Sequence, residues 1–416
     1  MPTRPALVTP PAPTVDAAPL RALIAAGADQ FRGRLAVFRA LALAAVCARP
    51  TNVLLIGPPG TAKTTIARAF ATSLGARFMG TTLSPWTDAA ELLGPVDLAA
   101  LAANRLERAK SPTRPTLLDA DVALLDEFPR AAPGIRAMVM SALSDRLTPV
   151  GDPVPAHVIV AGANTRLTSE EDKATVDRFH LRCEVSRLMG APDLRTVITR
   201  EVTVDGAAAS SAPLPTLPPG LVAALRAQSA TVDVPGEVAD ALVSLALALR
   251  QPAPSGAAYP DVSERRWVAT TRILQASATL AGRSSVDWSD LVDTLPMVLD
   301  DGAESRPAVT AAINASIHRW VRALGDLDAA CADAVERARR VGAASSAPGI
   351  EPMRPGDGDA HAKRDAELDA LIAPLRSFGA DVVARGEARA DRCRDDIDDA
   401  HAEGVAASKA ARKATR

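Results

Sequence analysis

Asn52-Val-Leu-Leu-Ile-Gly-Pro-Pro-Gly-Thr-Ala-Lys-Thr-Thr65 decides the fold. Residues 52–56 are an apolar strand, the next six form a Gly/Pro-rich loop, and Lys63-Thr64 open a helix. Such a strand-loop-helix order makes a phosphate cradle, because loop and helix-start N–H groups can converge on an anion. Gly57, Pro58, Pro59, Gly60, Thr61, Ala62, Lys63, Thr64 and Thr65 are therefore the candidate nucleotide-binding residues. Lys63 would reach the terminal phosphates and the Thr64 hydroxyl would ligate Mg²⁺. Ala62 stands where the usual pattern has a second glycine; alanine is the next smallest residue and still allows a close phosphate approach.

A phosphate loop of this kind calls for a second element, an apolar strand ending in acid. Residues 122–127, Val-Ala-Leu-Leu-Asp-Glu, supply it about sixty residues downstream of Lys63. Asp126 would hold Mg²⁺ through water and Glu127 would polarise an attacking water as general base. An acidic helix cap is the plain alternative for the same pair. The runs 121–126 and 157–161 are nearly continuous apolar segments, as expected of strands buried on both faces of a parallel sheet. Helical periodicity at 20–48, 62–74 and 135–143 alternates with them, which predicts an α/β domain.

The composition shifts to Ala, Ser and Pro at 206–220, the best linker. Beyond it, strand signals nearly vanish and helical segments run over 236–250, 263–281 and 288–299. The expected organisation is a flexible Pro-rich start at 1–19, an α/β nucleotide domain at 20–205, an all-α lid at 216–300, and a helical C-terminal arm at 301–416. A loop at 342–359 interrupts the arm. Apolar residues make up 48% and charged residues 23% of 416, with a net charge of −2, so there is no overall pull toward nucleic acid or anionic membrane. The four cysteines are far apart without C-x-x-C pairing, which suggests neither a zinc site nor a disulfide framework. No signal peptide and no membrane span is read, and the expected location is cytoplasmic.

GPPGTAKT at 57–64, LLDE at 124–127, AGAN at 161–164 and Asp177-Arg178-Phe179 together resemble the AAA+ ATPases, in particular the MoxR branch and its RavA-like group. Order and spacing match over about 20–299. The resemblance implies an α/β P-loop NTPase with a parallel-sheet core, an all-α lid and a long helical arm, assembling as a ring, most often a hexamer, with ATP and Mg²⁺ between subunits. It implies that Asn164 positions the lytic water and that Arg178 is an arginine finger reaching a neighbouring site. It assigns Arg265, with Arg266 as its rival, to a lid arginine on the γ-phosphate. Phe31 and Arg32 correspond to a segment packing on adenine. Each also has a plain use: Asn164 capping a turn, Arg178 paired with Asp177, Arg265 as a charged helix start.

Residues 94–118 and 145–152 resemble two inserts of this branch, the second a hairpin. They carry basic residues but no aromatic platform for single-stranded nucleic acid, and Trp86 nearby reads as a packing residue. The resemblance implies ATP-driven remodelling, assembly or activation of a protein client, by family analogy one with a von Willebrand A-type domain, and no specific nucleic acid. The β-rich C-terminal module of the RavA-like group has no counterpart in this chain, so that group's partner does not carry over. A nucleic-acid motor and a poorly hydrolysing scaffold are the alternatives.

Overall fold

A computed structural model describes residues 15–316 apart from 105–107, 110, 112, 168–169, 191–192, 196, 198–212, 253–258, 261 and 300–305, and also residue 331. The Pro-rich start up to 14, much of the linker, the 342–359 loop and most of the arm lie outside the described residues. The chain divides into two compact units, Met1–Ala312 and Ile313–Arg416.

In the first unit, five parallel strands form one sheet. They are β1 (Thr51–Ile56), β2 (Phe78–Thr82), β3 (Val122–Asp126), β4 (Val158–Ala163) and β5 (Leu181–Glu184), in the order β2-β3-β4-β1-β5. The three central strands are the apolar runs read from the sequence; β1 and β4 are buried along their whole length. The two edge strands carried no such signal. Phe78-Met-Gly-Thr-Thr82 is short and half polar, because an edge strand needs less apolar surface than one covered on both sides.

Register brings the strand ends together. Ile56 pairs with Ala163, Leu125 with Ala161 and Thr82 with Asp126. The residues leaving β1, β3 and β4, namely Gly57, Glu127 and Asn164, therefore emerge side by side. That row is the carboxyl edge of an open parallel sheet, where ligands of α/β proteins bind.

The stretch 20–48, read as continuously helical, is two helices: α1 (Ala18–Gln30) and α2 (Leu35–Val46). Gly33, at φ +71°, breaks them. From Val37 onward α2 is apolar on nearly every side, and it is buried on nearly every side. It lies between β1 and β5 on one flank and lid helices on the other. Helix α3 (Lys63–Ser73) covers β2, β3 and β4. Then follow α4 (Ala89–Leu93), α5 (Leu98–Ala102), α6 (Pro133–Asp145) and α7 (Glu170–Val176).

The helical part contains α8 (Leu221–Ser229), α9 (Gly236–Leu249), α10 (Glu264–Leu280), α11 (Trp288–Val298) and α12 (Arg306–Ser316). Helix α10 packs on α2 and α8, and α11 packs on β5. Side-chain bonds tie the layers, among them Arg39 of α2 with Asp293 of α11 at 2.5 Å and Arg226 donating to the Ala45 carbonyl at 2.6 Å. No helix among the described residues is long and apolar enough to cross a membrane. Trp86 does not pack: it is 88% exposed, on a tight turn held by Ser84 and Thr87.

Candidate functional site

The loop after β1 ends on Ala62, which has φ +66° and ψ +20°. This is the left-handed region, which costs an L-residue with a Cβ roughly 1–2 kcal/mol. The usual glycine at this position is thus matched by conformation and not only by size. Gly57 is required for a different reason: a Cβ there would stand 2.2 Å from the Val185 carbonyl oxygen. Gly57, Thr61 and Lys63 are buried, Pro58, Ala62 and Thr64 half-buried, and Pro59, Gly60 and Thr65 exposed. Helix α3 starts at Lys63, so its first amides have no intrahelical acceptor and face the loop.

Five side chains then form two short links across the sheet edge. Lys63 Nζ donates to the Gly57 carbonyl at 2.6 Å, to the Pro58 carbonyl at 3.2 Å and to Asn164 Oδ1 at 3.3 Å. Asn164 in turn donates through Nδ2 to Glu127 Oε1 at 2.5 Å. The amide thus bridges the cation and the carboxylate, with each end of it satisfied by the charge it suits. Beside them Thr64 Oγ1 donates to Asp126 Oδ2 at 2.7 Å. The backbone N–H of Glu127, itself at φ +54°, donates to Asp126 Oδ1 at 3.0 Å.

One hydroxyl and one carboxylate, converging at the mouth of a phosphate loop, suit Mg²⁺. That ion takes few protein ligands and completes its shell with water and phosphate oxygens. Among the described residues no group of three or more His, Cys, Asp and Glu could hold a metal by itself. The donor set therefore fits a nucleotide-borne cation and not a dedicated protein cage.

Gly162 of β4 was not singled out from the sequence, and it shapes the acid. A Cβ at Gly162 would stand 2.1 Å from Asp126 Oδ1. Phe31 and Arg32 lie in the break between α1 and α2. Phe31 packs on Phe38 at 5.7 Å between ring centroids, and Arg32 pairs with Asp29 at 2.8 Å. A Cβ at Gly33 would meet Leu188 at 2.8 Å, and Val185 of the same strand exit abuts Gly57. The segment is therefore near the phosphate loop, on the flank opposite the acid pair.

Arg178 and Arg265 are not part of this cluster. Arg178 precedes β5, at the end of the sheet opposite the phosphate loop, and both arginines line a cavity of about 620 Å³ there. Arg49, Arg146, His180 and Arg272 share its walls, with Asp145 as the acid. Arg178 is not paired with Asp177. Its Nε donates to Ser144 Oγ at 2.6 Å and its Nη1 to the Ala174 carbonyl, while its own carbonyl accepts from Asn52 Nδ2 at 2.7 Å. Arg266 is 2% exposed and donates to the Val298 carbonyl at the end of α11, whereas Arg265 is exposed. A lid arginine reaching the phosphates of its own subunit is thus not what the geometry brings together. The i, i+7 spacing of Arg265 and Arg272 on α10 was legible, but the cavity they share was not.

Two histidines, His180 in the cavity wall and His157 directly before β4, are held neutral. Burial first, with nearby arginines adding, lowers His157 and His180 each to about 4. His180 Nδ1 accepts from the Asn52 N–H at 3.1 Å. Arg146, pushed down to about 10 by burial, donates to Asn52 Oδ1 at 2.7 Å.

Residues 18–213 match a family model described as the MoxR domain in the MoxR-vWA-beta-propeller ternary systems, and residues 237–313 match an AAA lid domain. The chain belongs to the MoxR family of AAA+ proteins. Two uncharacterized proteins of Methanocaldococcus jannaschii are related to this MoxR chain. One is 26% identical over 255 residues, covering 60% of the chain and 64% of that relative; the other is 30% identical over 162 residues, covering 38% and 42%. The chain thus spans less than two thirds of the length of either relative. The crystal structure of a candidate ATPase from Cytophaga hutchinsonii shares the fold, at a TM-score of 0.58 and 18% identity. It covers 72% of the MoxR chain and 94% of its own. The matched description speaks for the MoxR branch and not for the narrower RavA-like group.

Proposed function

We propose that this chain hydrolyses ATP in an oligomeric ring, most simply a hexamer, and uses the turnover to remodel or activate a protein client. The observation that carries the reading is the link Lys63–Asn164–Glu127 set beside Thr64–Asp126 at the mouth of the phosphate loop. Mg²⁺, carried in with the nucleotide, would be held by Thr64 and Asp126 and would offset phosphate charge. Lys63 would exchange its bonds to the loop carbonyls for β/γ-phosphate oxygens. Glu127, aimed by Asn164, would take a proton from water as the water oxygen attacks the γ-phosphorus. The bond to the β-phosphate oxygen breaks, and ADP and phosphate leave.

The cations Arg178, Arg265 and Arg272, at the far end of the sheet, are the groups that a second copy's γ-phosphate would meet across a subunit interface. The MoxR-vWA-beta-propeller description of the matched domain supports a client bearing a von Willebrand A-type domain. Affinity capture with Glu127→Gln in ATP tests both parts. The expected outcome is nucleotide-dependent retention of such a client with turnover abolished. Normal turnover in that variant would overturn the assignment of the base.

A further inference from the structure

Asp177 and Ser263 are 86 residues apart in the chain and joined by a hydrogen bond. Ser263 Oγ donates to the Asp177 carboxylate, 2.7 Å from Oδ1 and 2.9 Å from Oδ2. The same hydroxyl oxygen accepts the Arg266 N–H at 3.3 Å and is the N-cap of α10. One hydroxyl therefore relays a carboxylate's charge to the positive end of a lid helix. The bond runs between the nucleotide domain and the lid. At either end of it stands an arginine of the basic cavity: Arg178 directly follows Asp177, and Arg265 lies in the first turn that Ser263 caps.

The relation has a second side. An Asp next to an Arg is an obvious ion pair, and that pair would quench the arginine. In this fold the Asp177 carboxylate turns to Ser263, while Arg178 is steered by the neutral Ser144 hydroxyl and the Ala174 carbonyl. Arg178 thus keeps its charge for an incoming anion, and Asp177 is left to set where α10 begins.

We propose that Asp177 and Ser263 are positioning residues that lock Arg178 and Arg265 into one acceptor face, so that the angle of the lid decides whether the finger is in register. The inference rests on the intersubunit reading of Arg178 given above. Neither residue would touch nucleotide.

The test is steady-state ATPase and nucleotide binding on Ser263→Ala, Ser263→Thr and Asp177→Asn in the full chain. A displaced face should lower kcat by between roughly tenfold and a hundredfold, the scale of an ångström-sized misplacement. Affinity of the altered subunit's own loop for nucleotide should stay within about twofold of wild type. Ser263→Thr should restore kcat, and the double variant should be no worse than Ser263→Ala alone, as coupled partners require. Mixed with Lys63→Ala subunits, Ser263→Ala subunits should recover turnover, because the first supplies an intact face to the second's nucleotide. Wild-type kcat in Ser263→Ala, or a loss carried by nucleotide affinity with no recovery on mixing, would overturn the pairing. Should Ser263→Ala fail to fold, Asp177→Asn gives the same readouts. If Arg178→Ala mixed with Lys63→Ala also fails to recover, the intersubunit reading itself falls, and the two failures are told apart.

Discussion

Gly162 lies beneath Asp126 so closely that a single added carbon would overlap the carboxylate, standing 2.1 Å from Oδ1 and 3.0 Å from Cγ. The same carboxylate accepts the Thr64 hydroxyl and the Glu127 N–H. Gly162→Ala should therefore push Asp126 off Thr64 at an overpacking cost of about 1–3 kcal/mol. The expected outcome is a folded chain whose apparent Mg²⁺ requirement for turnover rises at least tenfold. A magnesium titration at saturating ATP checks it, and an unchanged midpoint would refute the link.

Ala62 sits at φ +66°, with the first turn of α3 directly after it. Ala62→Gly removes left-handed strain but adds freedom to the unfolded chain, so stability should move by less than about 1 kcal/mol. Ala62→Val places a β-branched residue where φ is positive and should weaken nucleotide binding by more than tenfold. Isothermal titration of the two variants gives the comparison. Equal affinity in both would mean that the backbone at 62 is not what shapes the cradle.

Glu127→Gln retains a side-chain oxygen for Asn164 but cannot take a proton from water. Nucleotide affinity should hold within a few-fold while kcat drops by about a hundredfold or more, the usual contribution of a positioned base. Asn164→Ala should also lower kcat, by loosening Glu127. Fluorescent-nucleotide binding and phosphate release separate the two effects.

His157 and His180 are neutral in the native chain down to pH about 4, whereas unfolded histidine titrates near 6.5. Between those values the unfolded state binds protons that the native state does not, so stability falls as pH falls. Each residue contributes a slope of at most about 1.4 kcal/mol per pH unit in that window, and nothing above it. Denaturant midpoints from pH 7.5 to 4.5 should drop accordingly, and His180→Gln should flatten the curve below pH 6.5. A slope unchanged by that substitution would contradict the assignment.

Much of the first unit was legible because its decisive chemistry is contiguous. The three central strands are continuous apolar runs, and Lys63, Thr64, Asp126, Glu127 and Asn164 each sit at the exit of such a run. Of the edge strands, Phe78–Thr82 was not legible because it is half polar and half exposed, and Leu181–Glu184 because it is only four residues long and carries Arg182 and Glu184, although three of the four are buried. The break at Gly33 was hidden by helical periodicity on both sides of it.

The residues 52–65 and 122–127 by themselves determined a nucleotide fold, since strand, loop and helix entry follow from spacing and backbone preference over a few neighbours. Tertiary structure alone decided which groups meet across long stretches of chain: Gly162 under Asp126, Ser263 on Asp177, and Arg265 in the cavity of Arg178 and not beside Lys63. Those meetings depend on how the sheet orders its strands and where α10 docks on α2. No local run of side chains encodes either, because both arise from burying apolar faces that lie far apart in the chain.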